Sequence, residues 1–248
     1  MTELINDLNI CKKRLVLLIG LFMFIIISLF AVEQVSIYDI QFSVNPGFDG
    51  TYPSPFVNQT VLVEGIVTAI RFENNRIFIS EPNGGAWSAI AIDHLRDRVS
   101  LGDNIQVQGR VSEIMGMTVI TQPQNLIILS RNNSVPSPVT ISINDALTME
   151  AYESVLVRIS NLTCKRLLNG SFLALVEDET ASINIGNGFS TSLNNDFFSV
   201  GTTYQSIIGI VNFSHNRFSI HPRYIDDVGD VQTGIRSSSW GQIKSMYR

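Results

Sequence analysis

Only two cysteines occur in this chain of 248 residues, and an apolar run separates Cys11 from Cys164, which excludes a disulfide framework. Lysine is also scarce: beyond Glu33 only Lys165 and Lys244 remain, and from that point 14 basic residues face 20 acidic ones, a balance of −6. That balance argues against a strongly basic nucleic-acid binder, although local cationic patches can still bind. The spacings that mark common catalytic and metal centres are missing as well. There is no Cys-x-x-Cys or His-Glu-x-x-His pair, no phosphate-binding loop and no Gly-x-Ser-x-Gly elbow. None of His94, His215 and His221 stands four residues from another. His215 and His221 could meet across a hairpin turn, but without a third ligand they are better explained as strand-end residues. The acidic stretch Glu177, Asp178, Glu179 is expected to be a solvated turn, since calcium needs six or more oxygens at defined spacing. We therefore expect no catalytic residues, no metal site, no cofactor and no enzymatic activity.

What the sequence does contain begins with 45% hydrophobic residues, enough for a folded core. Residues 15–32 form an uncharged run of 18, preceded by Lys12, Lys13 and Arg14 and followed by the acidic Glu33. This asymmetry places residues 1–14 in the cytoplasm as an n-region and exports everything after Val32. The run is either a single transmembrane helix, which would attach the protein to a membrane, or the h-region of a cleaved signal peptide. The exported part is then membrane-anchored, periplasmic or secreted.

The exported region contains an internal repeat. Residues 58–71 align with 152–165, two long alternating segments that share Val-Leu-Val at Val61, Leu62, Val63 and Val155, Leu156, Val157. Residues 76–82 and 87–93 then match 171–178 and 181–185, each pair joined by a turn as a hairpin requires. Residues 99–111 match 198–211, each with a turn glycine (Gly102, Gly201) and a second glycine inside a strand (Gly109, Gly209). Glycine inside a strand signals a bulge, a corner or close backbone approach. Residues 118–122 and 217–221 close the two copies, and His221, Pro222, Arg223 end the last strand with the guanidinium in reach of Asp226 or Asp227.

Each copy thus has five strands in about 95 residues, the pattern of a small closed barrel, with a two-sheet sandwich as the competing architecture. The expected organisation is all-β: two consecutive OB-like five-stranded barrels, residues 35–131 and 140–231, behind one hydrophobic amino-terminal helix. Residues 132–139, with Pro136 and Pro138, form the linker, and 143–148 a short capped helix leading into the second barrel. Residues 232–248 are a tail in which Trp240, Ile243 and Tyr247 would share one side of a short helix.

Three stretches resemble the tandem OB-fold modules that accompany extracellular bacterial nucleases and other exported bacterial proteins. They are Ile37 to Phe42 with Val61 to Thr68; Val99 to Asp103 with Val107 to Val111; and Gly209 to Val211 with Ile220 to Arg223, Asp226 and Asp227. The resemblance implies an accessory binding role without catalysis. A protein or glycan is the first choice of macromolecular ligand. Single-stranded nucleic acid, bound beside a separate extracellular nuclease, is the alternative. In that case bases would stack on aromatics of the second and third strands while cations follow the backbone. The candidates are Arg71, Phe72, Arg76, Phe78 and Trp87 in the first barrel, and Lys165, Arg166, Phe172 and Arg217 in the second. Alternation puts Arg76 and Phe78 on one face and Ile77 and Ile79 on the other, so Phe78 would be either a stacking platform or a cover for a barrel end.

Overall fold

The computed structural model describes residues 12–14, 32–48, 50–95, 98–189, 193–214 and 216–229. Its contacts separate residues 1–34 from residues 35–248, and the architecture below belongs to the second unit. Most of the expected amino-terminal helix and the carboxy-terminal tail lie outside the described residues, as does His215. Among the described residues no helix is long and apolar enough to cross a membrane.

A short helix, α1 (Ile37–Gln41), opens the first barrel, its start fixed by Ser36, whose hydroxyl accepts the Asp39 N–H. The barrel strands are β1 (Thr60–Phe72), β2 (Arg76–Ser80), β3 (Ala89–Ile92), β4 (Asn104–Ile114) and β5 (Met117–Ser130). They close in the order β1-β2-β3-β5-β4, with β3 and β5 parallel at Ala91–Val119 and Ile92–Ile120. After β6 (Val139–Thr140) comes α2 (Ile143–Thr148), started by a capping box between Ser142 and Asp145. The second barrel then repeats the first with β7 (Leu156–Leu167), β8 (Phe172–Glu177), β9 (Ser182–Gly186), β10 (Thr203–Ser214) and β11 (Arg217–His221). Pairing of β10 with β7 completes the ring, and β9 and β11 are again parallel.

The strand glycines have the same task in both copies. A Cβ at Gly109 would collide with the Ile120 side chain, and one at Gly209 would lie 2.7 Å from Cγ2 of Ile220. Each glycine lets β4 or β10 cross closely over the closing strand, the approach that a small barrel radius demands.

Each barrel interior is built from the alternating apolar positions of its strands. Val61, Val63, Ile77, Ile79, Ile105 and Ile120 fill the first, and Val157, Ile159, Ile183, Ile185, Val211 and Ile220 fill the second. A third apolar cluster lies outside both interiors and joins the barrels. It combines Ala69, Phe72, Phe78, Ala91, Met117 and Val119 of the first with Leu156, Phe189, Ile210 and Phe213 of the second. Phe72 centres it, with ring centroids 5.3 Å from Phe78, 4.9 Å from Phe189 and 5.1 Å from His221. Polar bonds frame this joint. The Trp87 N–H donates to the Ala151 carbonyl at 2.6 Å, and the Arg223 guanidinium donates to the Thr68 carbonyl at 3.0 Å. The Thr118 N–H donates to Glu153 Oε1 at 2.9 Å.

Candidate functional site

The joint decides which strand faces remain available. Alternation does turn Ile77 and Ile79 into the first barrel and Phe78 out of it, but outward here means against the second barrel. Phe78 is fully buried and Phe72 nearly so, and neither presents a stacking face to solvent. Arg76 is also buried, with Nε 2.7 Å from Asp93 Oδ1, so its charge is neutralised within the protein. An exposed Arg76–Phe78 platform is therefore corrected to a structural contact, because burying those apolar faces between barrels is what joins them.

The remaining candidates are more accessible. Arg71 is exposed at the end of β1 in a left-handed conformation (φ 68°). Half-buried Trp87 meets Phe42 edge-on at 5.5 Å, and Phe42 stacks on Tyr38 at 5.3 Å, making a small aromatic surface beside α1. Lys165 bridges Glu177 at 2.7 Å, whereas Arg166 and Arg217 are exposed and have no ion-pair partner among the described residues. The acidic turn is structural: Lys165 engages Glu177, while Asp178 caps α2 by accepting the Ile143 N–H at 2.7 Å. Burial alone would raise the Asp178 pKa, but hydrogen bonds from Ile143, Thr180 and Ala181 outweigh it and hold the carboxyl below its usual range.

Phe72, Phe172 and Arg217 converge on one cleft of ≈ 410 Å³. It opens where β8 begins and where β10 turns into β11, between the first-to-second and fourth-to-fifth strand connections of the second barrel. The β1–β2 turn of the first barrel supplies another wall through Phe72 and Glu73. Phe172 is half-buried and makes no ring contact with another aromatic among the described residues, while Arg217 stands exposed at the rim. Asn212, Ser219 and His221 line the cleft from β10 and β11 and were not foreseen as site residues.

Burial pushes the His221 pKa down to about 3, so the imidazole is neutral at ordinary pH. Its Nδ1 accepts the Gly188 N–H at 3.1 Å, which leaves the proton on Nε2 to donate to Ser219 Oγ at 2.9 Å. Ser219 in turn donates to the Asn212 carbonyl at 3.4 Å. The serine–histidine pair thus has the wrong tautomer for nucleophilic catalysis, since a protonated Nε2 cannot take the hydroxyl proton. Among the described residues no group of three or more His, Cys, Asp or Glu is placed to hold a metal ion.

No family model matches the chain, and no curated protein matches it by sequence. Similar solved structures include a murine DNA-binding protein bound to double-stranded DNA, at 10% identity and TM-score 0.35, covering 66% of this chain and 95% of that one. The Ifi202 HINa domain in complex with a 20-base-pair DNA duplex is similar at 10% identity and TM-score 0.32, covering 65% and 93% respectively. The tetrameric p202 HIN2 domain gives 11% identity and TM-score 0.34, with 66% and 91% covered. The strand order and pairings of this chain, rather than so distant a likeness, establish its two barrels.

Proposed function

We propose that this protein is a non-enzymatic binding module that takes a segment of single-stranded nucleic acid into the cleft of its second barrel. The supporting observation is the convergence of Phe172 and Arg217 between the two connections with which OB barrels bind oligonucleotides and oligosaccharides. A base would stack on Phe172, and Arg217, with Arg166 on the same barrel, would meet the flanking phosphates. With so few cations, binding would be weak and salt-sensitive, because backbone affinity comes from counterion release. We place the module outside the cytoplasm, on the strength of Lys12 to Arg14 preceding the apolar run, with the run as membrane anchor or leader. There it would present nucleic acid to a separate nuclease.

The test is fluorescence anisotropy of the full chain, in mild detergent, with labelled single-stranded oligonucleotides at low and moderate salt. Micromolar binding that weakens with salt, and about tenfold with Phe172→Ala or Arg217→Ala, is expected. Absence of binding at low salt would reject the reading. A glycan ligand is the second reading, favoured by the partly exposed Tyr38, Phe42 and Trp87 surface. Binding of an oligosaccharide lost on Trp87→Ala would support it.

A further inference from the structure

The cleft contains an unused recognition group. Asn212 is 6% exposed, yet its carboxamide has no hydrogen-bond partner among the described residues. Its amide atoms are not sealed in the core, so the cleft leaves them open to a ligand. Strand alternation explains its direction: Val211 points into the barrel interior, so Asn212 points out of it and into the cleft.

Its neighbours are already committed. The Ser219 hydroxyl is held between His221 and the Asn212 carbonyl, and His221 uses both ring nitrogens. Beside the half-buried Phe172 ring Asn212 offers both an amide donor and a carbonyl acceptor, and the exposed Ser171 hydroxyl lines the same cleft. Glu73 is an acidic group in the same wall, so a phosphate is unwelcome inside, while Arg217 waits at the rim.

We propose that Asn212 makes this cleft a subsite for one unstacked adenine base, and this rests on the nucleic-acid reading above. The carboxamide oxygen accepts from the adenine N6 amine, and its NH₂ donates to the adjacent ring nitrogen, the bidentate pairing that asparagine makes with adenine. Guanine presents two acceptors on the corresponding edge, which a single NH₂ group cannot serve in that geometry. Pyrimidines cover less of the Phe172 ring. The neutral His221 adds no charge to oppose the exocyclic amine.

The experiment compares the affinities of the full chain for dA, dT and dC dodecamers, in the wild type, Asn212→Ala and the near-isosteric Asn212→Asp. The expected result is a preference for dA of about tenfold, reduced to near parity in both variants while dT binding persists. Persistence of dT binding also reports that the variants are folded. Equal wild-type affinities for the three oligomers, or a dA preference that survives both substitutions, would overturn the assignment of Asn212 while leaving the nucleic-acid reading standing. Failure of the wild type to bind any of the three would remove that reading and this one with it.

Discussion

Phe72 and Phe172 both touch the cleft, yet their surroundings assign them different tasks. Phe72 packs on three rings at the joint, and Phe172 at the lip meets no other aromatic ring among the described residues. Phe72→Ala is expected to lower unfolding stability by about 3–5 kcal/mol through the lost transfer energy and the cavity left between the barrels. Phe172→Ala should cost under about 1.5 kcal/mol in the same urea titration but weaken oligonucleotide binding. Comparable destabilisation by the two substitutions would mean that the cleft lip is part of the core. Arginines divide in the same way: Arg76 and Arg223 are held by Asp93 and Asp227, whereas Arg217 has no carboxylate partner among the described residues. The pairing of Arg223 was readable from its nearness to Asp227, four residues on. That of Arg76 was not, because Asp93 reaches it only through the β2–β3 pairing.

At the scale of strands, the in-strand glycines are the clearest link between sequence and curvature. Gly209→Ala would place a Cβ against Ile220 and the His221 backbone, and is expected to destabilise by about 1–3 kcal/mol. Ile220→Ala alone creates a cavity, but combined with Gly209→Ala it should cost less than the two separate losses together. A double-mutant cycle by urea denaturation checks this, and strict additivity would show that the two residues do not share a tight contact. The five-strand repeat, the capped α2 and the close approach at Gly109 and Gly209 were all legible, because each depends on local period and turn chemistry. The cleft was legible only in part. Phe172 and Arg217 could be named from strand position, but Asn212, Ser219 and His221 meet through β10–β11 pairing and acquire meaning only once the first barrel covers the adjoining face. Alternation separates the interior of a barrel from its exterior. It does not say which exterior face a second barrel will occupy, and for that reason alternation left Phe78 open between a stacking platform and a cover.

The joint between the barrels is also where protons bear on stability. Burial first, and then the nearby Glu113 charge, raise the Glu150 pKa from 4.5 to about 8 against a lowering hydrogen bond with Glu153. Glu153 is raised as well, by burial and by the charges of Glu150 and Glu113, opposed by the Thr118 N–H and by Arg76. The folded state therefore retains protons that the unfolded chain releases above about pH 4.5. The contribution of these carboxyls is complete below that pH and is lost as pH rises towards 8. His221 acts in the opposite sense: its depressed pKa costs stability as pH falls below 6.5 towards 3. Substitution separates the two. Glu150→Gln should melt higher than the wild type at pH 8, by roughly 2–4 °C for each kcal/mol relieved. That difference should shrink towards zero near pH 4.5, as differential scanning calorimetry can follow. A difference independent of pH would contradict the proton linkage.

At the same scale, the joint covers an outer face of each barrel, and the cleft left open beside it on the second barrel is the basis of the functional account. It is tested most directly by photocrosslinking the full chain to a single-stranded oligonucleotide containing 5-iodouracil, followed by peptide mapping. The account predicts attachment within the second barrel at Phe172 or its immediate neighbours in the cleft, and its loss on Phe172→Ala. Attachment confined to the first barrel, or to the Tyr38, Phe42 and Trp87 surface, would contradict it.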